Sequence, residues 1–181
     1  MVIKVMKSSI ALIGFMGVGK TAVGKILAKK LSRKFVELDY LIEQKAGKPV
    51  LEIFQQDGEL AFRKLEIEVT KKVAENKNQV IACGGGLVLN KINIDRLKKD
   101  SVIVYLTASP RVILKRLSDG DEERPLLKVT NPALTIQELL RFRKPFYERA
   151  ADVTIDTSGM NIDSVVEQII SQVKRDENLS V

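Results

Sequence analysis

The glycine-rich segment GFMGVGKT, residues 14–21, constrains the fold of this chain more than any other feature. It follows the short apolar run Ser9–Ile13 and precedes residues with helical periodicity, so it joins a strand to a helix. Its spacing, G-x-x-x-x-G-K-[ST], is typical of a loop whose backbone N–H groups hold phosphates. This context predicts a nucleoside triphosphate site. The alternative is a glycine-rich turn with an incidental lysine.

Phosphate binding requires a particular residue type at each fixed position of the loop. Glycines allow backbone angles that a side chain forbids, and they bring amide N–H groups close to anionic oxygens. Lys20 is predicted to reach the outer phosphates, and the Thr21 hydroxyl to join a Mg²⁺ shell. The positive end of the following helix favours the same anion. The predicted nucleotide-binding residues of the loop are Gly14, Gly17, Val18, Gly19, Lys20, Thr21 and Ala22.

Length and composition favour one compact domain. The 181 residues are 45% hydrophobic with only 5 prolines, which suits a single hydrophobic core. The chain is short for two domains. No apolar run is long enough to span a bilayer. The apolar stretch near the N-terminus leads into the glycine loop rather than a cleavage site. We therefore expect a cytoplasmic protein that does not bind membranes.

Histidine, cysteine and charge exclude further classes of function. The chain has no histidine, which excludes histidine acid–base chemistry and histidine metal sites. Its one cysteine, Cys83, ends an apolar run and is predicted to be a buried, inert thiol. The net charge of +7 suits an anionic substrate, because the lysine pairs are scattered with little aromatic interleaving. Nucleic-acid binding is therefore not expected.

Strand and helix signals alternate along the chain, which predicts an α/β fold with a five-stranded parallel sheet and helices on both faces. The predicted strands are residues 9–13, 35–39, 79–83, 102–106 and 153–155. The predicted helices include residues 59–76, 92–99 and 162–173 and one that starts at Ser109 and Pro110. A capping box at Thr135–Glu138 predicts another helix start, and Pro145 should kink or shorten that helix.

Residues from separate segments are expected to meet at the carboxyl edge of the sheet, where ligands of such folds lie. Asp39 ends the second predicted strand, and glycines 84–86 follow the third. Arg63 follows Phe62, so the phenylalanine can face the core and the arginine the cleft. Taken singly these residues are ambiguous, because Asp39 could cap a strand end and Arg63 could form a helix-surface ion pair with Glu66.

Taken together, these segments resemble the shikimate kinases from Ile10 to about Val173. The resemblance rests on GFMGVGKT, LDYLIEQKAGKPVLEIFQQDGELAFRKLE, GGG, RPLL and RFRKPFYERAAD. DGELAFRKLE followed by GGG is more specific than the loop, which gluconate kinases and adenylate kinases share. The resemblance implies one P-loop domain, residues 1–181, of nucleoside monophosphate kinase-like fold. It also implies a lid at about residues 118–131 and a substrate-binding helical region at about 40–66.

The implied reaction is transfer of the γ-phosphoryl group of ATP to the 3-hydroxyl of shikimate, with Mg²⁺, by a monomer. Asp39 matches the family residue that hydrogen-bonds the substrate hydroxyls and is proposed as general base. Arg63 and Arg143 match the arginines that clamp the shikimate carboxylate, for which a planar guanidinium is suited. The other implied substrate contacts are Phe54, Phe62, Gly84, Gly85 and Gly86.

Three further assignments follow from the resemblance. Arg124 matches a lid arginine that swings onto the phosphates and is catalytic with Lys20 and Asp39. The polar stretch around Arg124 has the composition of a lid, although a disordered linker is the alternative. Arg116 is assigned to the adenine site, opposite residues 157–161. Many relatives carry a second arginine at the next position, where this chain has Leu117.

The chain departs from the family in the predicted metal site. Relatives carry D-x-D at the end of the second strand, whereas this chain has Glu37 before Asp39. Mg²⁺ binding by Thr21 and Glu37 is expected to survive, because octahedral Mg²⁺ keeps waters that can absorb the shift. Two alternatives stay open. One is a nucleotide-binding module without phosphoryl transfer, which Glu37 alone favours, and the other is a kinase for a different hydroxylated acid.

Overall fold

A five-stranded parallel sheet forms the centre of the computed structural model, which describes residues 7–119 and 129–175. The strands are β1 (Ser9–Ile13), β2 (Lys34–Glu37), β3 (Gln79–Ala82), β4 (Ser101–Thr107) and β5 (Val153–Asp156). They lie in the order β2-β3-β1-β4-β5, so β1 is the central strand. The predicted α/β class and the five parallel strands are confirmed.

Both faces of the sheet are buried, which explains why its central strands read as continuous apolar runs. Successive side chains of β1 point to opposite faces. Ile10 and Leu12 belong to the hydrophobic cluster on one face, and Ala11 and Ile13 belong to the cluster on the other. All four side chains are fully buried. The core is therefore two layers that meet on β1.

Helices cover the two faces. They are α1 (Lys20–Lys30), α2 (Leu38–Ala46), α3 (Val50–Glu52), α4 (Gly58–Ala74), α5 (Lys91–Leu97), α6 (Pro110–Ser118), α7 (Pro132–Ala150) and α8 (Ile162–Arg175). A π-helical turn (Ile53–Asp57) joins α3 to α4, and a 3₁₀ turn (Leu87–Leu89) precedes α5. Helices α1 and α8 pack on one face, whereas α2, α4 and α5 pack on the other. No helix of the described residues is long and apolar enough to cross a membrane.

The second strand is shorter than predicted. It ends at Glu37, and Asp39 lies in the first turn of α2 rather than on the strand. The edge strand β2 pairs only with β3, and their ladder stops at Glu37 opposite Ala82. Beyond Ala82 the chain enters the glycine turn, so no strand partner remains. Asp39 consequently points into the site from a helix start.

Helix α7 differs from its prediction at both ends. It begins at Pro132, where the Asn131 side chain accepts a hydrogen bond from the N–H of Leu134. The capping box predicted at Thr135–Glu138 is therefore wrong, because Asn131 followed by proline is an earlier start signal. Pro145 was expected to kink or shorten the helix, and it does not shorten it, since the helix continues to Ala150.

Burial explains why α7 continues past its proline. Pro145 itself is exposed, but Tyr147 and Ala150 beyond it are buried in the core. Proline has no N–H to donate to the carbonyl four residues back, and its ring crowds that carbonyl. Packing of the last helical turn thus outweighs a local preference to stop at Pro145.

Replacing Pro145 with alanine is expected to raise the free energy of unfolding by about 1–3 kcal/mol. Alanine restores the missing N–H donor, and no buried contact is lost because the proline is exposed. Urea denaturation followed by circular dichroism would measure the change. The matched control is Pro132→Ala, at the first position of the same helix, where proline is well tolerated. Equal changes in the two variants would contradict the explanation.

Candidate active site

The glycine loop after β1 has the backbone that phosphate binding requires. Gly14, Gly17 and Gly19 have φ angles of 145°, 80° and 102°, which L side chains rarely adopt. At Gly14 a Cβ atom would also lie 2.2 Å from the backbone oxygen of Leu106, so that position has no room for a side chain. The loop leads directly into α1 at Lys20, and its N–H groups lie at the positive end of the helix.

The Lys20 side chain folds back over the glycine loop that precedes it. Its Nζ donates hydrogen bonds to the backbone oxygens of Gly14, at 2.8 Å, and Phe15, at 2.9 Å. The ammonium group is therefore held at the mouth of the loop. The same group favours ionisation of Asp39, which places Lys20 close to that carboxylate as well.

Thr21 and Glu37 are adjacent although they are far apart in sequence. The Thr21 hydroxyl donates a hydrogen bond to Oε1 of Glu37. A hydroxyl and a carboxylate are oxygen ligands of the kind that Mg²⁺ prefers. No group of three acidic, histidine or cysteine side chains that could hold a metal ion occurs within residues 7–119 and 129–175. The donor set fits Mg²⁺, which takes its remaining ligands from waters and phosphate oxygens.

A cavity of about 820 Å³ extends from the glycine loop to Asp39. The loop and the start of α1 form its floor, and the first turns of α2 form the wall that carries Asp39. Arg116 and Thr157 line its other end. One continuous space thus joins the predicted nucleotide loop to Asp39, the residue predicted to bind the substrate.

Asp39 is half-buried, and one of its carboxylate oxygens is buried and unsatisfied. Its Oδ1 is fully buried and has no hydrogen-bond partner in the described structure. Burial raises the pKa of the carboxyl group above its ordinary value, and nearby Lys20 lowers it in part. Nothing contacts Oδ1 in the way that a strand-end cap would require, so that alternative gains no support. An unsatisfied oxygen at a cavity wall is suited to accept a hydrogen bond from a ligand.

Arg63 forms the ion pair with Glu66 that the sequence left open. Its Nη1 donates to both carboxylate oxygens of Glu66, at 3.1 and 3.0 Å. Glu66 is only 1% exposed, so the pair is buried rather than at the helix surface. Burial raises the pKa of the Glu66 carboxyl group, and Arg63 lowers it in part. Glu66 is a further residue of the site that the sequence does not predict, because i,i+3 spacing gives no sign of burial.

The opposite edge of the Arg63 guanidinium holds a second carboxylate. Its Nε and Nη2 donate to Oε1 of Glu59, at 3.3 and 3.1 Å. The group also lies 5.2 Å from the centre of the Phe62 ring and packs on Gly86. A Cβ at Gly86 would approach Nη2 to 2.4 Å. Arg63 therefore faces the glycine turn, and two glutamates of its own helix bind it.

Arg143 reaches the same turn from α7. Its guanidinium carbon lies 5.6 Å from the centre of the Phe15 ring, and its buried Nε has no partner in the described structure. A Cβ built on Gly85 would lie 3.7 Å from its Nη1. Since Arg63 packs on the neighbouring Gly86, the turn brings the two arginines to one place.

The three glycines of the turn are not equivalent. A Cβ at Gly84 would lie 2.7 Å from Oδ1 of Asp39, and one at Gly86 would strike Arg63. At Gly85 the protein atoms around a Cβ stand no closer than 3.6 Å, which is ordinary contact. Within the described protein, a side chain would therefore clash at Gly84 and at Gly86 but not at Gly85.

Tyr147 is a site residue that the sequence analysis missed. Its hydroxyl donates a hydrogen bond of 2.5 Å to the Gly85 oxygen, and its ring stacks on Tyr105 at 4.9 Å between centres. Tyr147 follows Arg143 by one helical turn, so α7 both carries Arg143 and contacts the glycine turn. This i,i+4 spacing in the segment RFRKPFYERAAD indicates that Tyr147 lies on the same helix face as Arg143.

The remaining predicted residues divide into three groups. Phe54 and Phe62 pack together with ring centres 4.6 Å apart beside Arg63. Arg116 donates to the hydroxyl and carbonyl oxygens of Thr157, at 2.9 and 2.8 Å, which places it at the far end of the cavity. Arg124 and most of the predicted lid lie outside the described residues.

Replacing Asp39 with asparagine is expected to raise the melting temperature of the free protein by a few degrees near neutral pH. Because burial raises the folded-state pKa of this carboxyl group, ionisation opposes folding. Its contribution to stability is greatest below the unfolded pKa and is lost as pH rises through the raised folded pKa. Asparagine does not ionise, so it escapes that loss.

Thermal unfolding of both proteins at about pH 7 and about pH 4 would measure this effect, and the difference should shrink at the lower pH. The control is Asp95→Asn, at an exposed carboxylate on α5, which should bring no gain. An Asp39→Asn protein no more stable than the parent at neutral pH would overturn the expectation.

Comparison with known proteins agrees with this geometry. The family model described as Shikimate kinase matches residues 16–174. The shikimate kinase of Thermodesulfovibrio yellowstonii is 50% identical over 170 residues, covering 94% of this chain and 97% of the relative. That of Caldanaerobacter subterraneus subsp. tengcongensis is 50% identical over 162 residues, covering 90% and 94%. The solved shikimate kinase of Acinetobacter baumannii in complex with shikimate superposes with a TM-score of 0.88, at 35% identity, covering 94% of this chain and 95% of that one.

Proposed function

The chain belongs to the shikimate kinase family, and from this membership we propose how its residues carry out the reaction. Its activity is that of the family, transfer of the γ-phosphoryl group of ATP to the 3-hydroxyl of shikimate, giving ADP and shikimate 3-phosphate. This step belongs to aromatic amino acid biosynthesis. The observation that carries the proposal is the cavity that joins the phosphate loop to Asp39.

Arg63 and Arg143 are the proposed ligands of the shikimate carboxylate. Both guanidinium groups lie against the turn formed by residues 84–86, from opposite parts of the chain. A planar guanidinium can donate two parallel hydrogen bonds to a carboxylate, which fixes orientation as well as charge. Anchored in this way, the ring would present a hydroxyl toward Asp39, whose carboxylate contacts Gly84 of the same turn. Phe54 and Phe62 would form an apolar wall beside Arg63.

Asp39 is proposed to hold the reacting hydroxyl and to receive its proton. Its buried Oδ1 has no partner in the described structure, so a hydroxyl donor would satisfy it. Burial raises the pKa of this carboxyl group, which makes the carboxylate a better proton acceptor than an exposed aspartate. Lys20 lies close enough to lower that pKa in part.

The phosphate end of the cavity would supply positive charge and orientation. The backbone N–H groups of the glycine loop and the Lys20 ammonium would hold the β and γ phosphates. Thr21 and Glu37 would hold Mg²⁺, which would neutralise phosphate charge when bound. Arg116 would border the adenine, and Arg124 would act from the lid. Phosphoryl transfer depends on such positioning more than on covalent help.

We also propose that the enzyme works as a cytoplasmic monomer. Every group named above comes from one chain, so the site needs no residue from a second copy. ATP is the phosphoryl donor, and the cytoplasm is where ATP is supplied.

The proposal is tested by measuring ADP release from ATP and Mg²⁺ with and without shikimate. A rate that depends on both Mg²⁺ and shikimate is expected, and it would show that Glu37 is tolerated in the metal site. If a different hydroxylated acid stimulates release instead, the substrate is wrong. If none does, in protein shown to be folded, a nucleotide-binding module without transfer is the better description.

The clamp is tested separately with Arg63→Lys and Arg143→Lys. Each change keeps the positive charge but removes the bidentate fork, so each should raise the shikimate KM and dissociation constant about tenfold or more. The KM for ATP should stay nearly constant in both variants. Equal effects on the two substrates, or no effect on shikimate binding, would show that the residue is not a carboxylate ligand.

A further inference from the structure

Two glutamates bind the Arg63 guanidinium before any substrate arrives. A carboxylate can bind an arginine in bidentate fashion through the Nε and Nη2 pair or through the Nη1 and Nη2 pair. Glu59 accepts from Nε and Nη2, and Glu66 accepts from Nη1. Nη2 has two N–H groups, and Glu59 takes the one on the Nε side, so a carboxylate that binds the Nε–Nη2 edge has to displace Glu59. At the Nη1–Nη2 edge an incoming carboxylate has to share Nη1 with the buried Glu66.

The two glutamates differ in how easily they can release Arg63. The Glu66 side chain is 1% exposed, and it would have to remain in the protein interior without its partner. The Glu59 side chain is 65% exposed and lies in the first turn of α4, so it can turn into water at little cost. Substrate binding would otherwise place a third carboxylate around one guanidinium. Glu59 is thus the partner that gives way.

We propose that Glu59 competes with the carboxylate of shikimate for Arg63 and so sets the affinity of the enzyme for its substrate. This inference rests on the proposed role of Arg63 as a carboxylate ligand. Glu59 acts only in the substrate-free protein, where it neutralises Arg63. It touches neither ATP nor the reacting hydroxyl, so its influence is confined to shikimate binding.

The decisive variant is Glu59→Gln, which removes the competing charge. Isothermal titration calorimetry without ATP should show the shikimate dissociation constant falling about two- to fivefold, the range expected for loss of one exposed ion pair. The shikimate KM should fall with it, while kcat and the KM for ATP stay constant. This split separates competition for Arg63 from a general effect on the fold.

Two further variants isolate the contact itself. Glu59→Asp keeps a negative charge near the start of α4 but shortens its reach to Arg63, so it should also tighten shikimate binding. Glu68→Gln makes the same charge change on α4, at a side chain 59% exposed that pairs with Lys45, and should leave binding unchanged.

The outcomes separate this inference from the proposed function. An unchanged or larger dissociation constant in Glu59→Gln would overturn the competition, and a larger one would mean that Glu59 holds Arg63 in its binding position. Equal tightening in Glu68→Gln, or none in Glu59→Asp, would also overturn it, because long-range charge would then suffice. If Arg63→Lys leaves shikimate binding intact, the clamp itself is wrong. If Arg63→Lys weakens binding but Glu59→Gln does not tighten it, only the competition fails.

Discussion

The pairing of β1 with β3 is the interaction on which the site depends. The two strands run parallel in a register that sets Leu12 opposite Ala82, and the N–H of Cys83 donates to the Leu12 oxygen at 3.0 Å. The chain leaves β1 into the phosphate loop and leaves β3 into the glycine turn. This ladder therefore sets the two glycine-rich segments side by side, and a change of register would separate the phosphate donor from its acceptor.

Several polar groups that oppose folding lie where the two segments meet. Asp39 and Arg143 each have a buried atom without a partner in the described structure, and Glu66 is ionisable yet fully enclosed. Each of these features lowers the stability of the fold. Burial of the apolar layers on either side of the sheet offsets that loss. The same features suit the proposed binding of a ligand that carries both a carboxylate and hydroxyl groups. Stability and binding are thus opposed at these positions.

Much of the fold could be predicted because apolar periodicity is a local property. The strands and the long helix α4 were predicted nearly to their ends, whereas the start of α7 was wrong because two capping signals lay close together. The site was predicted through motifs, which name residues but not contacts. The burial of Glu66, the contact of Glu59 with Arg63 and the hydrogen bond of Tyr147 depend on how separate helices meet. No spacing rule within one helix or strand encodes them.

The position of β2 at the edge of the sheet has a consequence for how such enzymes diversify. The phosphate loop is built on the central strand, whereas residues 38–74, which carry Asp39 and Arg63, lie between the edge strand β2 and its neighbour β3. A peripheral segment can be remodelled with little disturbance to the central ladder. The acceptor alcohol can therefore change in evolution while the nucleotide half is inherited intact.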